Sequence, residues 1–217
     1  MTVSLPTYDF CGMLKDVSEF APSARDAKNQ AYVRIGWDGS ALRISTFAEI
    51  HAAIATYAFP ESLRSGDGPW EVLLRTTQAK FMAKFFELKG VKGAIPISLY
   101  TRQGRLDISR RANEEHGVDA QQQLCGGDVD VLIKRVEAEF ADLGARTDVP
   151  VRIGPVAHMA LSKAAKRTGE CVTSVPHARG IRSTVGAELV VYSRWPLEVD
   201  HAEVDAQAMA DAAVAEL

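Results

Sequence analysis

The stretch TTQAKFMAKFFELKGVKG, residues 76–93, is basic and amphipathic in a chain that carries a formal net charge of -3. At about 100° per residue, Lys80 and Lys84 fall together on one side of a helix predicted over residues 77–89. The apolar residues predicted to hold the other side of this helix to a sheet are Phe81, Met82, Phe85, Phe86 and Leu88. Glu87 is the only acid in the stretch. The helix is therefore expected to present its lysines either to solvent or to an anionic partner.

Working outward, the first half of the chain predicts one further helix and a series of strands. Residues 9–21 repeat apolar side chains at helical spacing, and Asp9 is predicted to cap that helix. Asp38-Gly39 lies between two alternating apolar segments, which is a good hairpin signal. The predicted strands are residues 3–8, 31–37, 41–47, 50–59, 70–76, 94–100 and 105–111, with a turn at Gln103-Gly104.

The second half repeats the order of the first in topology but not in sequence. A polar connector, residues 112–127, precedes a helix predicted over 128–143. A strand at 149–154, a helix at 155–169 and strands at 171–176, 180–186 and 188–196 are predicted to follow. The order predicts an α+β fold of repeated domains, each with helices packed on one face of antiparallel sheets. The predicted division is a first domain at 1–111, the connector at 112–127, a shortened second domain at 128–197 and an acidic tail at 198–217.

Charge is unevenly distributed along the chain. The tail at 198–217 holds six acids and no Lys or Arg, so residues 1–197 retain 22 of the 28 acids and all 25 bases. We expect the tail to be a solubilising end on the outside of the molecule.

Basic residues are also predicted on the polar faces of the other helices. Lys163, Lys166 and Arg167 are predicted to project outward from the helix at 155–169. The remaining cations on predicted helices are Lys15, Lys134 and Arg135, and neighbouring acidic residues partly offset their positive charge. These faces fit ordinary solvated helices. Taken together, the two helices in equivalent places of the repeat both present lysines and almost no acid, which fits a surface that contacts phosphate groups through distributed, mobile cations and no base-reading code.

Catalytic and metal-binding patterns are absent from the sequence. No His or Cys pair has zinc-ligand spacing, and no Gly-rich phosphate loop precedes a helix. A cysteine enzyme with Cys125 as nucleophile and His158 or His177 as base lacks any local signature. Three widely spaced cysteines, no apolar run of about 18 residues and no signal-like N-terminus favour a cytoplasmic protein without a membrane partner. No catalytic residue, metal or cofactor is predicted.

The layout resembles the DNA sliding clamps, the processivity factors of replicative polymerases. The segments that carry the resemblance are FCGMLKDVSEFA, YVRIGWDGSALRIST, AIATYAFPES, WEVLLRTTQAKFMAKFFELKG and ISLYTRQGRLDISRR, followed by PVAHMALSKAAKRTGECVTSVPHARGIRSTVGAELVVYSRWP. The resemblance implies a non-catalytic ring that tethers a DNA polymerase to duplex DNA without regard to sequence. It also implies a homotrimer or other ring, with partner peptides binding near the connector at 112–127.

Eight residues are predicted to contact the DNA backbone: Lys80, Lys84, Lys163, Lys166, Arg167, Lys15, Lys134 and Arg135. One departure bears on ring closure, because only about six residues separate Gly144 from Val151, where a clamp domain holds a strand meander. A clamp-fold adaptor that binds proteins without encircling DNA, and an unrelated α+β enzyme, are the alternatives.

Overall fold

The structure, a computed structural model, describes residues 2–21, 32–48, 50–61, 68–87, 95–102, 105–111, 119–125, 142–149 and 152–194. The body of the helix predicted at 128–143, with Lys134 and Arg135, lies outside these residues. So do the turn predicted at Gln103-Gly104 and the acidic tail at 198–217.

Three helices and eleven strands are present in the described part of the chain. The helices are α1 (Thr7–Ser18), α2 (Thr76–Phe85) and α3 (Pro155–Thr168). The early strands are β1 (Val3–Pro6), β2 (Tyr32–Trp37), β3 (Ala41–Phe47), β4 (His51–Ala58) and β5 (Trp70–Arg75). The later strands are β6 (Pro96–Arg102), β7 (Arg105–Arg111), β8 (Asp119–Cys125), β9 (Val172–His177), β10 (Gly180–Val185) and β11 (Leu189–Arg194).

The strands form two antiparallel sheets, which confirms the predicted α+β class. One sheet has the order β1-β6-β7-β8 and the other the order β5-β2-β3-β4-β11-β10-β9. The junction between β4 and β11 pairs Ala55 with Leu189 and Ala53 with Val191. The late strands therefore extend the sheet that the early meander begins.

The helices form a layer over the sheets, with α1 at its centre. α1 packs against both α2 and α3, and also against strands of both sheets. Its side chains Phe10, Met13, Leu14 and Val17 are fully buried in a single core cluster shared with both sheets. The burial of these large side chains is the main favourable term for the fold.

The orientation of α2 corrects a prediction about its phenylalanines. The buried apolar positions of α2 and its C-cap are Ala79, Met82, Ala83 and Phe86. Phe81 and Phe85 are not held to the sheet but are 53% and 44% exposed. Alanines on the inner side let the helix approach its neighbours closely, which turns these two rings to the outside.

Three smaller predictions also differ from the structure. Asp9 does not cap α1, because β1 runs directly into that helix and Thr7 bonds the Ile95 carbonyl through its backbone N–H and its hydroxyl. Part of the predicted connector is strand β8, which pairs with β7 along its whole length. The strand predicted at 149–154 is absent from its described residues.

Candidate nucleic-acid interface

Three lysines on the outer side of the helix layer are exposed and available to a ligand. They are Lys80 and Lys84 on α2 and Lys166 on α3. Within the described part of the chain, none of them has an ion-pair partner. Lys80 and Lys84 lie one turn apart, about 6 Å along the axis, on a helix that has no acid in its first turn.

Two further predicted cations are exposed but paired. Lys15 of α1 forms an ion pair with Glu87, just beyond α2. Lys163 of α3 lies 3.4 Å from Glu19, at the end of α1. Exposed pairs of this kind contribute little to stability, so another anion can replace the carboxylate partner of the lysine. Both pairs cross between helices, so they also reduce the net positive charge of the layer.

Arg167 does not project outward as predicted. Its side chain is 14% exposed and lies 2.8 Å from an oxygen of Asp16 and 3.0 Å from an oxygen of Glu188. The backbone of α1 leaves room for it at Gly12, where a Cβ would lie 2.7 Å from the arginine Cδ. Arg167 therefore joins α1 to α3 and is not available to a phosphate group.

The surroundings of Arg167 are acidic. Burial raises the pKa of the Asp16 carboxyl, and Arg167 offsets only part of that rise. Burial and the neighbouring Glu188 also raise the pKa of Asp9. One buried guanidinium thus faces three carboxyl groups, so this junction holds excess negative charge beneath the helix layer.

Exposed apolar side chains lie beside the free lysines of α2. The rings of Phe81 and Phe85 stack on each other, with centroids 5.6 Å apart and planes inclined by 25°. Phe85 also meets the buried Phe86 edge to face at 4.9 Å. α3 carries two exposed aliphatic side chains, Val156 and Met159.

A cavity of about 660 Å³ lies on the outer face of the seven-stranded sheet. Its wall includes Phe47, Ile54, Trp70 and Tyr192, with Gly36 leaving space between them. Two ion pairs border it, Arg34 with Glu71 at 2.5 Å and Arg43 with Asp38 at 2.9 Å. A cavity of this size with apolar walls and a few polar groups is typical of a binding site for a small molecule or a short peptide.

The cavity was not predicted from the sequence. Its residues alternate with buried ones along β2, β3 and β4, which a two-residue period would have placed on one face. Tyr192, however, comes from β11 and reaches the cavity only because β11 pairs with β4. No local signal in the sequence specifies that long-range pairing.

The described residues assemble no metal or thiol site. They contain no group of three or more His, Cys, Asp or Glu that could hold a metal ion. Burial raises the pKa of the Cys11 thiol to about 12, which disfavours the nucleophilic thiolate. The Nδ1 atom of His177 lies 3.0 Å from the Gly144 carbonyl oxygen. Among the helices of the described segments, none is long and apolar enough to span a membrane.

No protein-family model and no curated protein matches this sequence. Solved structures do match it in fold. The DNA polymerase III subunit beta of Pseudomonas aeruginosa aligns with 94% of this chain and 68% of its own, at 12% identity and a TM-score of 0.56. The beta subunit of Thermotoga maritima aligns with 89% of this chain and 64% of its own, at 10% identity and a TM-score of 0.59. The beta subunit of Streptococcus pyogenes aligns with 90% of this chain and 66% of its own, at 11% identity and a TM-score of 0.56.

At this level of identity the comparisons establish the fold alone. The chain has the fold of the bacterial DNA sliding clamps and spans about two thirds of the length of those it matches.

Proposed function

We propose that this protein is a non-catalytic DNA sliding clamp that holds a DNA polymerase on duplex DNA. The observation that carries the proposal is a clamp-type helix layer whose unpaired lysines all lie on its exposed side. Lysines suit a sliding contact because an ammonium group meets a phosphate as a point charge, without bidentate locking. Duplex DNA contacted in this way is bound without regard to sequence.

The backbone-contacting set is smaller than the sequence predicted. We assign direct contact to Lys80, Lys84 and Lys166, and a secondary role to Lys15 and Lys163, whose carboxylate partners a phosphate would have to replace. Arg167 is excluded because Asp16 and Glu188 occupy its guanidinium. Lys134 and Arg135 lie outside the described residues and stay predictions.

The partner polymerase is proposed to bind through a short peptide segment. The cavity beside Tyr192 supports this, because it joins strands from the early and late parts of the chain and lies away from the helix layer. DNA and a protein partner would then occupy opposite faces. The division into two domains, the cytoplasmic location and the ring are proposals of the same kind.

The test is the salt dependence of duplex binding. Each phosphate contact contributes about 0.9 to the slope of log affinity against log salt. The double variant Lys80→Ala, Lys84→Ala should flatten this slope by roughly 2 and weaken binding equally for unrelated sequences. Its matched control is Arg105→Ala, Arg182→Ala, which removes two exposed charges from strands whose alternating neighbours Leu106 and Ile181 are buried.

The control should bind like the wild type, because its arginines point away from the helix layer. Equal slopes for all three proteins would reject the proposed interface.

A second function, a clamp-fold adaptor that encircles nothing, is favoured by one specific feature. In the first half, a meander of four strands, β2 to β5, lies between two helices. In the second half, the described residues 142–149 and 152–154 before α3 contain no strand, only an isolated bridge at Arg146. The edge of β4 pairs with β11 of the same chain. The described residues of the second half contain no equivalent edge to which a neighbouring chain could pair.

A further inference from the structure

We propose that the exposed Phe81–Phe85 pair of α2 is a stacking site for the unpaired bases of single-stranded DNA. This inference goes beyond the proposed function, which concerns the phosphates of a duplex, and it does not require a ring. It starts from an unusual combination on one short helix: two stacked aromatic rings in solvent beside two cations without partners.

The exposure of the rings is not needed for the fold. Ala79, Met82, Ala83 and Phe86 already bury the inner side of α2. Phe81 is 53% exposed, and Phe85 is the only ring that contacts it among the described residues. One π-face of Phe81 is thus covered by Phe85 while the rest of the ring is open to a ligand.

The charge beside the rings selects an anionic ligand. Relative to the buried side of the helix, Lys80 and Lys84 occupy the same outer half as the two phenylalanines, at about 100° per residue. Glu87, the nearest acid in sequence, is engaged by Lys15. The ligand must therefore combine negative charge with flat apolar groups.

Single-stranded DNA has this combination in a regular repeat. The two rings are spaced i to i+4, and so are the two lysines, which places each pair about 6 Å apart along the axis. A strand running along α2 can place a base on the open face of Phe81 and phosphates beside the lysines. In a duplex the bases are stacked inside and cannot reach the rings, so the site distinguishes unpaired from paired DNA.

The experiment measures the affinity of the full chain for a labelled oligothymidine and for an abasic strand of equal length and charge. Stacking of one base on an aromatic side chain alters affinity by roughly tenfold. The wild type should therefore bind the oligothymidine at least roughly tenfold more tightly than the abasic strand. Equal affinity for the two strands would overturn the proposal.

Leucine variants separate stacking from simple burial. Phe81→Leu, Phe85→Leu keeps apolar side chains but removes both π-faces, and should reduce oligothymidine affinity to that of the abasic strand. Phe81→Trp should retain or increase it. The matched control Val156→Ala, Met159→Ala trims two comparably exposed apolar side chains on α3 and should have no effect.

Two results would contradict the assignment. One is a leucine variant that binds oligothymidine as tightly as the wild type. The other is a leucine variant that changes only the sedimentation of the protein, since the rings would then be a contact between copies of the chain. Failure here leaves the duplex salt slope unaffected, whereas failure of the clamp proposal leaves oligothymidine binding unaffected, so the two outcomes are distinguishable.

Discussion

At the scale of single residues, Arg167 links the first helix of the chain to the last. Its guanidinium contacts Asp16 from α1 and Glu188 from the turn before β11, and its backbone carbonyl accepts a hydrogen bond from Tyr8 at 3.3 Å. The side chains of Arg167 and Asp16 are 14% and 8% exposed. A buried ion pair adds little to the stability of the fold by itself, but removing one partner leaves the other charge unpaired in a poorly solvated environment.

Replacement of Arg167 by Met should therefore destabilise the protein by about 3 kcal/mol, because Asp16 loses its partner while staying buried. For a chain of this size that lowers Tm by roughly 6–12 °C in thermal unfolding. The double variant with Asp16→Asn should recover most of the loss. The control Arg179→Met breaks an exposed pair with Asp142 and should change Tm little. A Tm for Arg167→Met equal to that of the control would refute the buried link.

The same cluster predicts a pH dependence with a definite sign. Burial and Glu188 raise the pKa of Asp9, so the folded state holds this proton at pH values where the unfolded chain, with a pKa of about 3.9, has lost it. Its contribution to stability is therefore full below a pH of about 3.9 and declines as pH rises through the raised value.

Asp9→Asn should consequently raise Tm at neutral pH and leave it unchanged in acid below a pH of about 3.9. Thermal unfolding at both pH values checks this. A lower Tm for the variant at neutral pH would mean that the Asp9 carboxylate is favourable in the folded state, with Arg167 outweighing burial.

At the scale of elements, the orientation of α2 decides which aromatic side chains are structural. Phe86 is fully buried and lies 5.9 Å from the guanidinium of Arg110, which in turn donates a hydrogen bond to the Phe86 carbonyl at 2.7 Å. Phe86→Ala should cost about 3–5 kcal/mol, as large core truncations do. Phe81→Ala, on the same helix, should stay within about 0.5 kcal/mol. Chemical denaturation of both variants measures the difference, and similar losses would contradict the observed helix orientation.

Strongly periodic elements were predictable from sequence, and elements fixed by distant partners were not. The positions of α2 and α3 along the chain and the hairpin at Asp38-Gly39 follow local sequence patterns, and the structure confirms them. β8 has the polar sequence DAQQQLC and no apolar alternation, so its pairing with β7 supplies what propensity does not. The orientation of α2 was missed because two of its four buried apolar positions are alanines, which carry a weaker hydrophobic signal than the exposed Phe81 and Phe85.

The candidate site was predictable only in part for the same physical reason. Exposed Lys80 and Lys84 follow from helical periodicity within one element. The burial of Arg167 depends on α3 packing against α1, where Gly12 leaves a gap that no pattern near residue 167 reveals. The cavity beside Tyr192 depends on the pairing of β4 with β11.

At the scale of the whole molecule, open sheet edges bear on assembly. β1 and β8 are the edge strands of the four-stranded sheet, and β5 and β9 are those of the seven-stranded one. Exposed edges promote pairing between chains. If the chain forms a ring, light scattering at tens of micromolar protein should give a molar mass that is a whole-number multiple, above one, of the 23.6 kDa chain mass. A mass of one chain would favour the adaptor over the ring.

The acidic tail belongs to this scale as well. Six acids without a Lys or Arg would repel DNA phosphates, so we expect residues 198–217 to lie away from the helix layer. Their deletion should change the free energy of unfolding by no more than about 0.5 kcal/mol. A large loss in thermal unfolding would show that the tail packs on the fold.

The most direct measurement of the central claim is a site-specific cross-link to duplex DNA at low salt. A photoactivatable group attached through Lys84→Cys would report from the helix layer, and the same group through Arg105→Cys from the far side of a sheet. With Cys125 and the exposed, free Cys171 replaced by Ser in both proteins, the only native thiol left is that of Cys11, which is buried. If DNA lies against the helices, the label at position 84 cross-links duplex of any sequence and the label at 105 does not. Equal cross-linking from the two positions, or cross-linking from 105 alone, would contradict the account.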